Sequence, residues 1–595
     1  MESVSTTDEA VREIQVKSRN AKFRARAKTL VEFIYPDIDA DNFVEQVSEA
    51  FWPNDRLARQ RARQPGNTLW SEADTIVITY GDTFVDGQHK PLDLLNDFLH
   101  RYLKGSINGV HILPFFPFSS DDGFAVIDYR AVNGSLGDWA DINRISEDFT
   151  LMSDLVLNHV SGRSNWFMGY LRGEEPYVDF FFEAVPEDDL TNVVRPRPSE
   201  LLRKVDTPDG IKHVWCTFSH DQIDLDFSNP EVLLEFIRIT RMHIDNGVRI
   251  VRMDAIAFIW KEIGTPCIHH EKTHAIVQLF RVLADYAREE VVLLTETNVP
   301  NAENLSYYGN RNEAHMIYNF PLPPLMLHAM MSGSSDLLNR WQMAMPPAQL
   351  GCAYLNFTAS HDGIGVRGGE GLIPEDDLWK MIGRVEDFGG RVSMRSVKDG
   401  GERPYEMNIT YFDAMKGTFE GDDEWHFERF ICSQTIMMAL EGIPAFYIHS
   451  LLGSPNDQDG FAKTKHNRTL NRKKWDYGEL RELLDGGGSI HARVLEELKK
   501  RINIRTAQKA FHPNATQFTM QFGSDLFGFW RQSLDRDQSI FALHNVTNKT
   551  VRVPAMSINL IGGDSWLDLL SGENVDAERG DIEFAPYQCR WVTNR

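Results

Sequence analysis

The chain has 595 residues, of which 42% are hydrophobic and 25% charged, an ordinary composition for a globular protein that can bury a large core. Its formal net charge of -24 argues against nucleic acid or an anionic membrane as a partner. Five scattered cysteines without CxxC spacing predict neither a disulfide framework nor a zinc site. No signal-peptide core and no membrane-length apolar run is present, so we expect a cytoplasmic protein.

The first part of the chain, residues 1–74, is charged and has a helical pattern, which predicts an N-terminal helical extension. It includes a basic segment from Lys17 to Lys28. Such a segment is typical of a solvated helix packed against the main domain. A contact between subunits, as in a homodimer, is the alternative.

Residues 75–514 alternate apolar, strand-like runs with amphipathic helical stretches. Eight such runs with helical connections are the number expected for a (β/α)8 TIM barrel, an α/β fold. The runs are TIVITYGDTF, GVHILPFFPF, TLMSDLVLNH, VRIVRMDA, VVLLTETN, HMIYNFPLPP, YLNFTASHDG and GIPAFYIHS. Long connections at about 164–215, after the third run, and about 365–415, after the seventh, predict inserted loop subdomains that build the active site.

The pattern changes near residue 515 to short alternating strands, which predict a C-terminal antiparallel β-domain over residues 515–595. Its predicted strands are TQFTMQFG, LFGFWRQS, SIFALHNV, TVRVPAM and IEFAPYQCRWV. The sequence therefore predicts three domains.

Three carboxylates stand at the ends of three barrel runs: Asp254 in VRIVRMDA, Glu296 in VVLLTETN and Asp362 in YLNFTASHDG. In a parallel barrel the carboxyl ends of the strands meet on one catalytic face. Carboxylates that lie close together raise one another's pKa, so such a cluster is costly unless chemistry uses it. This arrangement is the one needed to break a glycosidic bond.

Further polar residues accompany the carboxylates. Arg252 lies two positions before Asp254, on the same side of the strand, where it would favour the ionised carboxylate. His159 ends DLVLNH, and His361 precedes Asp362 in SHDG. In this order, these strings resemble the signature regions of the α-amylase superfamily of retaining glycosidases.

The resemblance implies a role for each residue. Asp254 would be the nucleophile, Glu296 the acid/base, and Asp362 the group that holds sugar hydroxyls and stabilises the oxocarbenium-like transition state. The residues expected to hydrogen-bond the glucosyl unit are His159, His361 and Arg252.

Other strings narrow the resemblance to the sucrose phosphorylase branch. They are SSDDGFAVIDY, TFSHDQIDLD, VRMDAIAFIWKEIGT, SHDGIG, LPPLMLHA and NRTLNR. The resemblance implies a closed donor pocket in which Asp121 pairs with Arg468 at the far edge of the glucose. The residues expected to line the same pocket are Phe124, Phe218 and Gln222.

The resemblance also implies phosphate contacts from Arg197 in RPRP and from Tyr405 in PYEMN. The paired donors of an arginine suit a phosphate.

The acceptor side departs from sucrose phosphorylases at Asn298, two residues after the acid/base, and at Val194, Phe258 and Glu406. The strings TETNVP, EAHMIYNFPLPP, GEGLIPED, PYEMNITYFDA and NRKKW resemble instead the glucosylglycerate phosphorylases of the same branch. Positive charge for a glycerate carboxylate would come from Arg403, Arg197 and Lys261. Glu406 would repel that anion unless it binds hydroxyls or an arginine.

The expected partners are small molecules: a glucoside, inorganic phosphate and a glycerate-like acceptor. Phosphorolysis of sucrose, sucrose 6′-phosphate or glucosylglycerol is an alternative, as is hydrolysis or transglucosylation through the same intermediate. A catalytically inactive barrel used for binding is disfavoured by the intact catalytic set. No cofactor motif is present, and we expect no metal: Asn158 lies where calcium-binding amylases supply a ligand, but no carboxylate cluster accompanies it.

Overall fold

The structure, a computed structural model, describes residues 20–53, 69–197, 199–287, 289–396, 401–558, 566–576 and 580–594. The start of the predicted basic segment, at Lys17, lies outside these ranges. Within them, no helix combines the length and apolar character needed to cross a membrane.

Eight strands, β1–β8 in chain order, form a closed barrel in which each strand lies beside its neighbours in the sequence and β8 returns to β1. β3 pairs with β4, β4 with β5, β5 with β6, β7 with β8 and β8 with β1, all in parallel. The strands are Ile76–Thr79, Gly109–Ile112, Thr150–Val156, Val248–Asp254, Val292–Thr295, Met316–Tyr318, Ala353–Asn356 and Ile443–Tyr447. All eight predicted runs supply a barrel strand, and the predicted barrel is confirmed.

Burial explains why these runs are strands. Every residue of β3 except Thr150 is buried, and so is every residue of β4 except Arg249. Strands covered on both faces need a continuous apolar sequence rather than an alternating one. The register sets Asp154 beside Arg252 and Val156 beside Asp254, so two buried polar groups of neighbouring strands lie side by side.

Helices connect the barrel strands and extend beyond them. Several begin with a polar cap: the Asp138 side chain accepts from the backbone of Ala140 and Asp141, for example, in a capping box. The helices between and after the barrel strands are Pro91–Phe98, Trp139–Asp148, Pro230–Asp245, Glu271–Tyr286, Asn301–Leu305, Leu322–Ser332, Asp336–Ala344, His426–Ala439, Ile448–Leu451, Gln458–Thr464, Tyr477–Asp485 and Ile490–Thr506.

The two long connections have structure of their own. The connection after β3 contains the helix Asn165–Arg172, a hairpin of Leu202–Thr207 with Gly210–Trp215, and the paired strands His159–Ser161 and Gln222–Asp224. The connection after β7 contains two helices, Glu375–Asp387 and Tyr411–Ala414. It also contains three strands that form one antiparallel sheet: Ile364–Gly365, Arg391–Ser396 and Glu402–Asn408.

The C-terminal part is an antiparallel sheet, as predicted. Its strands, in spatial order, are Thr516–Gln521, Leu526–Gln532, Ser539–Asn545, Cys589–Asn594, Trp566–Asp568 and Asn574–Val575. A separate pair, Val551–Pro554 with Asp581–Phe584, packs its side chains into the same hydrophobic core, which includes Phe541, Trp566 and Phe584.

The chain divides into two compact units. Unit 1 comprises Met1–Leu69, Ile112–Thr297 and Leu305–Ile317; unit 2 comprises Trp70–His111, Asn298–Asn304 and Tyr318–Arg595. The domain boundaries predicted at residues 74 and 514 stay predictions.

Within unit 1, the helix of residues 20–34 and the helix Ala40–Phe51 pack on barrel helices. The ring of Phe23 lies edge-on to Tyr286 at 5.5 Å and to Trp52 at 5.0 Å. The hydroxyl of Tyr35 donates to the backbone carbonyl of Phe227 at 2.9 Å. These contacts confirm that the described part of the N-terminal extension packs against the main domain.

Candidate active site

The predicted nucleophile lies at the end of β4 in unit 1, held by an arginine. Arg252 Nη1 donates to Oδ2 of Asp254 at 2.6 Å and also contacts Oδ1 of Asp154 on the adjacent strand. The three side chains are almost completely buried. One guanidinium therefore serves two carboxylates, which fixes the orientation of the Asp254 side chain.

Burial is the largest influence on Asp254 and raises the pKa of its carboxyl well above the usual range. The Arg252 guanidinium lowers that pKa, while the charges of Glu296 and Asp154 raise it further. Arg252 therefore favours the ionised form of Asp254, as the sequence predicts. Its guanidinium lowers the pKa of Asp254, which burial and the neighbouring carboxylates raise, and it also contacts Asp154.

The predicted acid/base, Glu296, directly follows β5 and approaches the nucleophile through the backbone. The amide of Ala255 donates to Oε2 of Glu296 at 3.3 Å, and the amide of Glu296 donates to the carbonyl of Met253 at 3.1 Å. Ala255 has a φ of 54°, a left-handed conformation that is unfavourable for alanine. The strained residue directs its amide toward Glu296, so the two carboxylates flank one short backbone segment.

Unit 1 also brings together the predicted glucosyl-binding residues. Gln222 Nε2 donates to Oδ2 of Asp121 at 3.3 Å and lies 3.2 Å from Nε2 of His159. The His159 ring lies 5.1 Å from the Phe218 ring, and the Arg252 guanidinium lies 5.7 Å from the Phe124 ring. The six predicted glucosyl-binding residues of this unit thus form one cluster.

Two members of that cluster have features suited to ligand contact. Burial lowers the pKa of His159, so the neutral ring is favoured; its Nε2 lies 3.1 Å from the carbonyl of Phe124. Asp121 has a φ of 53°, again in the left-handed region. Backbone strain of this kind is concentrated at functional sites.

Lys261 is enclosed beside the cluster. Its ammonium contacts Oδ1 of Asn158 at 2.9 Å, the carbonyl of Phe258 at 2.9 Å and Oδ2 of Asp224 at 3.1 Å, and 1% of its side chain is exposed. Protein oxygens neutralise and cover the charge. This does not support the expectation that Lys261 attracts a glycerate carboxylate.

In unit 2, the predicted third carboxylate belongs to an ion-pair chain. Arg468 Nη1 lies 2.9 Å from Oδ1 of Asp362, and the other side of the same guanidinium binds Glu406 through Nε at 3.1 Å and Nη2 at 2.6 Å. Glu406 is 2% exposed. Of the two roles open to Glu406, binding an arginine is therefore the one observed.

The backbone around Asp362 is held from several sides. Nδ2 of Asn408 donates to the Asp362 carbonyl at 3.0 Å, while Nδ2 of Asn471 and Nε of Arg472 donate to the His361 carbonyl at 2.8 and 2.9 Å. At Gly363, where φ is +91°, a Cβ would lie 2.4 Å from the Met407 carbonyl. Only glycine allows this close approach, which fixes the strand carrying Glu406 against the Asp362 turn.

The other residues predicted to contact the acceptor are Arg403, Tyr405, Arg197 and Asn298. Arg403 is exposed at the start of the strand Glu402–Asn408, whereas Tyr405 is buried in the same strand. Arg197 is half-buried in its loop. The Asn298 side chain lies 3.3 Å from the position that a Cβ of Gly365 would take. Contact of these residues with phosphate or glycerate stays a prediction.

Several polar residues beside the predicted site residues were not singled out in the sequence. Asp154, which shares Arg252, lies inside an apolar strand, and a carboxylate there needs a buried partner. Asp224 accepts from Asn158 and from both the amide and the hydroxyl of Thr217. Arg195, two residues before Arg197, has a buried Nε and Nη2 without a hydrogen-bond partner among the described residues. The sequence signal that could have identified Arg195 is its place as the first arginine of the RPRP string, which also contains Arg197.

Known proteins resemble the chain in sequence and fold. A family model described as the α-amylase catalytic domain matches residues 95–363. A glucosylglycerate phosphorylase of Spirochaeta thermophila is 43% identical over 89% of this chain and 91% of its own. One from Escherichia coli is 38% identical over 90% of this chain and 94% of its own.

More distant proteins are similar to the chain in sequence or in fold. A sucrose phosphorylase of Bifidobacterium adolescentis is 28% identical over 69% of this chain and 81% of its own length. The crystal structure of a sucrose 6F-phosphate phosphorylase from Thermoanaerobacter thermosaccharolyticum superposes with a TM-score of 0.69 at 24% identity. It covers 86% of this chain and 98% of that one.

Proposed function

Because the chain belongs to the glucosylglycerate phosphorylase family, we propose that it transfers a glucosyl unit from 2-O-α-D-glucosyl-D-glycerate to inorganic phosphate. The products are α-D-glucose 1-phosphate and D-glycerate. The enzyme is thus a hexosyltransferase that acts on small soluble substrates. The observation that carries the proposal is the identity of 38–43% to proteins of this function over about nine-tenths of the chain.

The first step forms a covalent glucosyl-enzyme. A carboxylate oxygen of Asp254 attacks the anomeric carbon while Glu296 gives a proton to the departing glycerate oxygen. This requires an ionised nucleophile and a protonated acid next to each other. The Arg252 contact favours the first condition, and the Ala255 amide keeps Glu296 beside the same backbone segment.

The second step reverses the roles. Phosphate attacks the anomeric carbon, Glu296 now takes a proton from the attacking phosphate hydroxyl, and the bond to Asp254 breaks. Two inversions at the same carbon leave the α configuration unchanged. Asp362 is proposed to hold sugar hydroxyls through both steps, and Arg468, itself held by Glu406, to orient Asp362.

Glucose recognition is proposed for the polar and aromatic cluster of unit 1 together with the residues around Asp362. In unit 1 the proposed contacts are Asp121, Phe124, His159, Phe218 and Gln222. In unit 2 they are His361 and Arg468. The contacts of Gln222 with Asp121 and with His159 support a preformed pocket in unit 1.

The acceptor contacts are proposed for the loop arginines Arg197 and Arg403, for Tyr405, and for Asn298. Both acceptors, phosphate and glycerate, are anions, and arginine binds oxyanions with paired donors. Arg195 joins this group because two of its buried nitrogens, Nε and Nη2, have no hydrogen-bond partner among the described residues. We also propose that the protein is cytoplasmic and that it forms a homodimer.

Acceptor choice is the test. The protein is incubated with α-D-glucose 1-phosphate and D-glycerate, glycerol, D-fructose, fructose 6-phosphate or water alone, and released phosphate is measured. D-glycerate is expected to give the fastest release. Equal release with water alone would reject phosphorolysis in favour of hydrolysis, and faster release with glycerol or fructose would assign another member of the branch.

A further inference from the structure

The turn that carries Asp121 has a strained backbone. Asp121 and the following Asp122 both have a φ in the left-handed region, at 53° and 46°. Aspartate tolerates this region better than most residues, but two in succession still cost free energy that neighbouring contacts must offset. The turn therefore needs support from outside to present Asp121 in one conformation.

That support comes from Asp221. The hydroxyls of Ser119 and Ser120 both donate to Oδ2 of Asp221 at 2.5 Å. The Ser161 hydroxyl lies 2.5 Å from that of Ser119, and it is the donor of this pair because the Ser119 proton is used on Asp221. Hydrogen bonds to a carboxylate are stronger than those between neutral groups. Asp221 thus holds the two residues that directly precede Asp121.

Asp221 is itself held by a pair of strands. It directly precedes the strand Gln222–Asp224, which pairs antiparallel with His159–Ser161. The amide of Gly162 donates to the carbonyl of Asp221 at 2.8 Å, which extends this pairing to Asp221. Because its backbone is part of the pairing, the Asp221 carboxylate is an anchor for the turn.

The next residue of the same strand reaches Asp121 directly. Gln222 Nε2 donates to Oδ2 of Asp121 at 3.3 Å and lies 3.2 Å from Nε2 of His159. Two consecutive residues therefore act on the turn at different points. Gln222 contacts the Asp121 carboxylate, whereas Asp221 acts through the serines that precede it.

We propose that Asp221 is a positioning residue for glucose recognition, which holds the turn of residues 119–122 so that the Asp121 carboxylate meets a hydroxyl at the far edge of the sugar. This role rests on the proposed function, in which Asp121 contacts the glucosyl unit. The hydroxyl across the ring from the reacting anomeric carbon is the one on C4. Because a fixed carboxylate selects for that hydroxyl, Asp221 sets how strongly the enzyme prefers glucose to a sugar that lacks it.

The test compares two donors, α-D-glucose 1-phosphate and 4-deoxy-α-D-glucose 1-phosphate, with D-glycerate as acceptor. Asp221→Ala is expected to lower kcat/KM for the glucose donor roughly 10- to 100-fold, the range for one lost hydrogen bond to a charged group, and that for the 4-deoxy donor less than about threefold. The KM for D-glycerate is expected to stay unchanged. An equal loss for both donors would assign Asp221 a structural role only and overturn the proposal. An unchanged preference, or a wild type without a preference, would also overturn it.

Matched variants separate the anchor from a general defect. Asp206, an exposed aspartate of the hairpin in the same connection, is the control, and Asp206→Ala is expected to keep the wild-type preference. Asp221→Asn retains an oxygen that can accept from both serines and is expected to restore most of the preference, which keeps the test valid if Asp221→Ala does not fold. In an Asp121→Asn background, Asp221→Ala is expected to have no further effect on the preference, and independent effects of the two changes would contradict positioning.

The donor comparison can fail separately from the acceptor assay. Hydrolysis of the two donors without glycerate uses the donor pocket alone, so the same change of preference is expected there. If that change occurs without transfer to D-glycerate, the proposed acceptor is wrong and the role of Asp221 stands. If transfer to D-glycerate occurs while the preference of Asp221→Ala equals that of wild type, the role of Asp221 is wrong and the proposed function stands.

Discussion

The ion-pair chain from Glu406 through Arg468 to Asp362 gives the sharpest prediction. In Glu406→Ala the Arg468 guanidinium loses both hydrogen bonds on one side, at 3.1 and 2.6 Å, while its 2.9 Å contact with Asp362 is left without support. Removal of one partner of a buried ion pair costs about 3–5 kcal/mol of stability, because the remaining charge is poorly compensated. We expect the free energy of unfolding to fall by about 3 kcal/mol.

The effect on catalysis follows from the loss of orientation of Asp362. A hydrogen bond to a charged group contributes about 1.5–3 kcal/mol, which corresponds to a roughly 10- to 100-fold decrease in kcat/KM. Glu406→Gln is expected to lose less, since one amide oxygen can still accept from Nη2 while the amide nitrogen faces a second donor.

The assay separates this positioning role from direct binding of the acceptor. Slow hydrolysis of α-D-glucose 1-phosphate, without glycerate, uses the donor site and the carboxylates only. If Glu406 positions Arg468, hydrolysis and transfer to glycerate decrease together. Unchanged hydrolysis, with only the KM for glycerate raised, would show that Glu406 acts on the acceptor and not through Arg468. Glu402→Ala, which removes an exposed carboxylate from the same strand, is the control and is expected to behave like wild type.

Further predictions concern the nucleophile, the phosphate loop and pH. Asp254→Ala is expected to abolish turnover, and an active variant would contradict the nucleophile assignment. Arg197→Ala is expected to raise the KM for phosphate about tenfold in initial-rate assays, because it removes one charge-assisted hydrogen bond to phosphate. Burial raises the pKa of Asp254, and the ionised form of Asp254 attacks the sugar. The acidic limb of the pH profile of kcat/KM should therefore lie at a higher pH than the pKa of an ordinary aspartate, and Arg252→Gln should move this limb to still higher pH. An acidic limb at the pKa of an ordinary aspartate would contradict this. Burial raises the pKa of Glu441 from 4.5 to about 7, so its contribution to stability is complete below pH 4.5 and lost as the pH rises through 7. Glu441→Gln should therefore be more stable than wild type at pH 8.5, by up to about 3 kcal/mol in urea unfolding, and a less stable variant at that pH would contradict this.

The barrel could be predicted because each buried strand leaves its own apolar run in the sequence. Asp254 and Glu296 were found for the same reason: each ends or follows such a run, and the covalent backbone fixes its place. The Asp154–Arg252 pair needed the strand register, which the pattern of one strand does not specify.

The partner of Glu406 could not be found in this way. Glu406 and Arg468 are 62 residues apart and belong to connections that follow different strands. The sequence left the carboxylate open to bind hydroxyls or an arginine, and only the folded connection after β7 brings it to the guanidinium.

The forward reaction tests the central claim most directly. The protein is given 2-O-α-D-glucosyl-D-glycerate with and without inorganic phosphate, and the sugar products are followed by ³¹P and ¹H NMR. The expected products are α-D-glucose 1-phosphate and D-glycerate in equal amounts, formed only when phosphate is present. Formation of the β anomer would contradict the double displacement at Asp254, and free glucose released at the same rate without phosphate would contradict phosphorolysis.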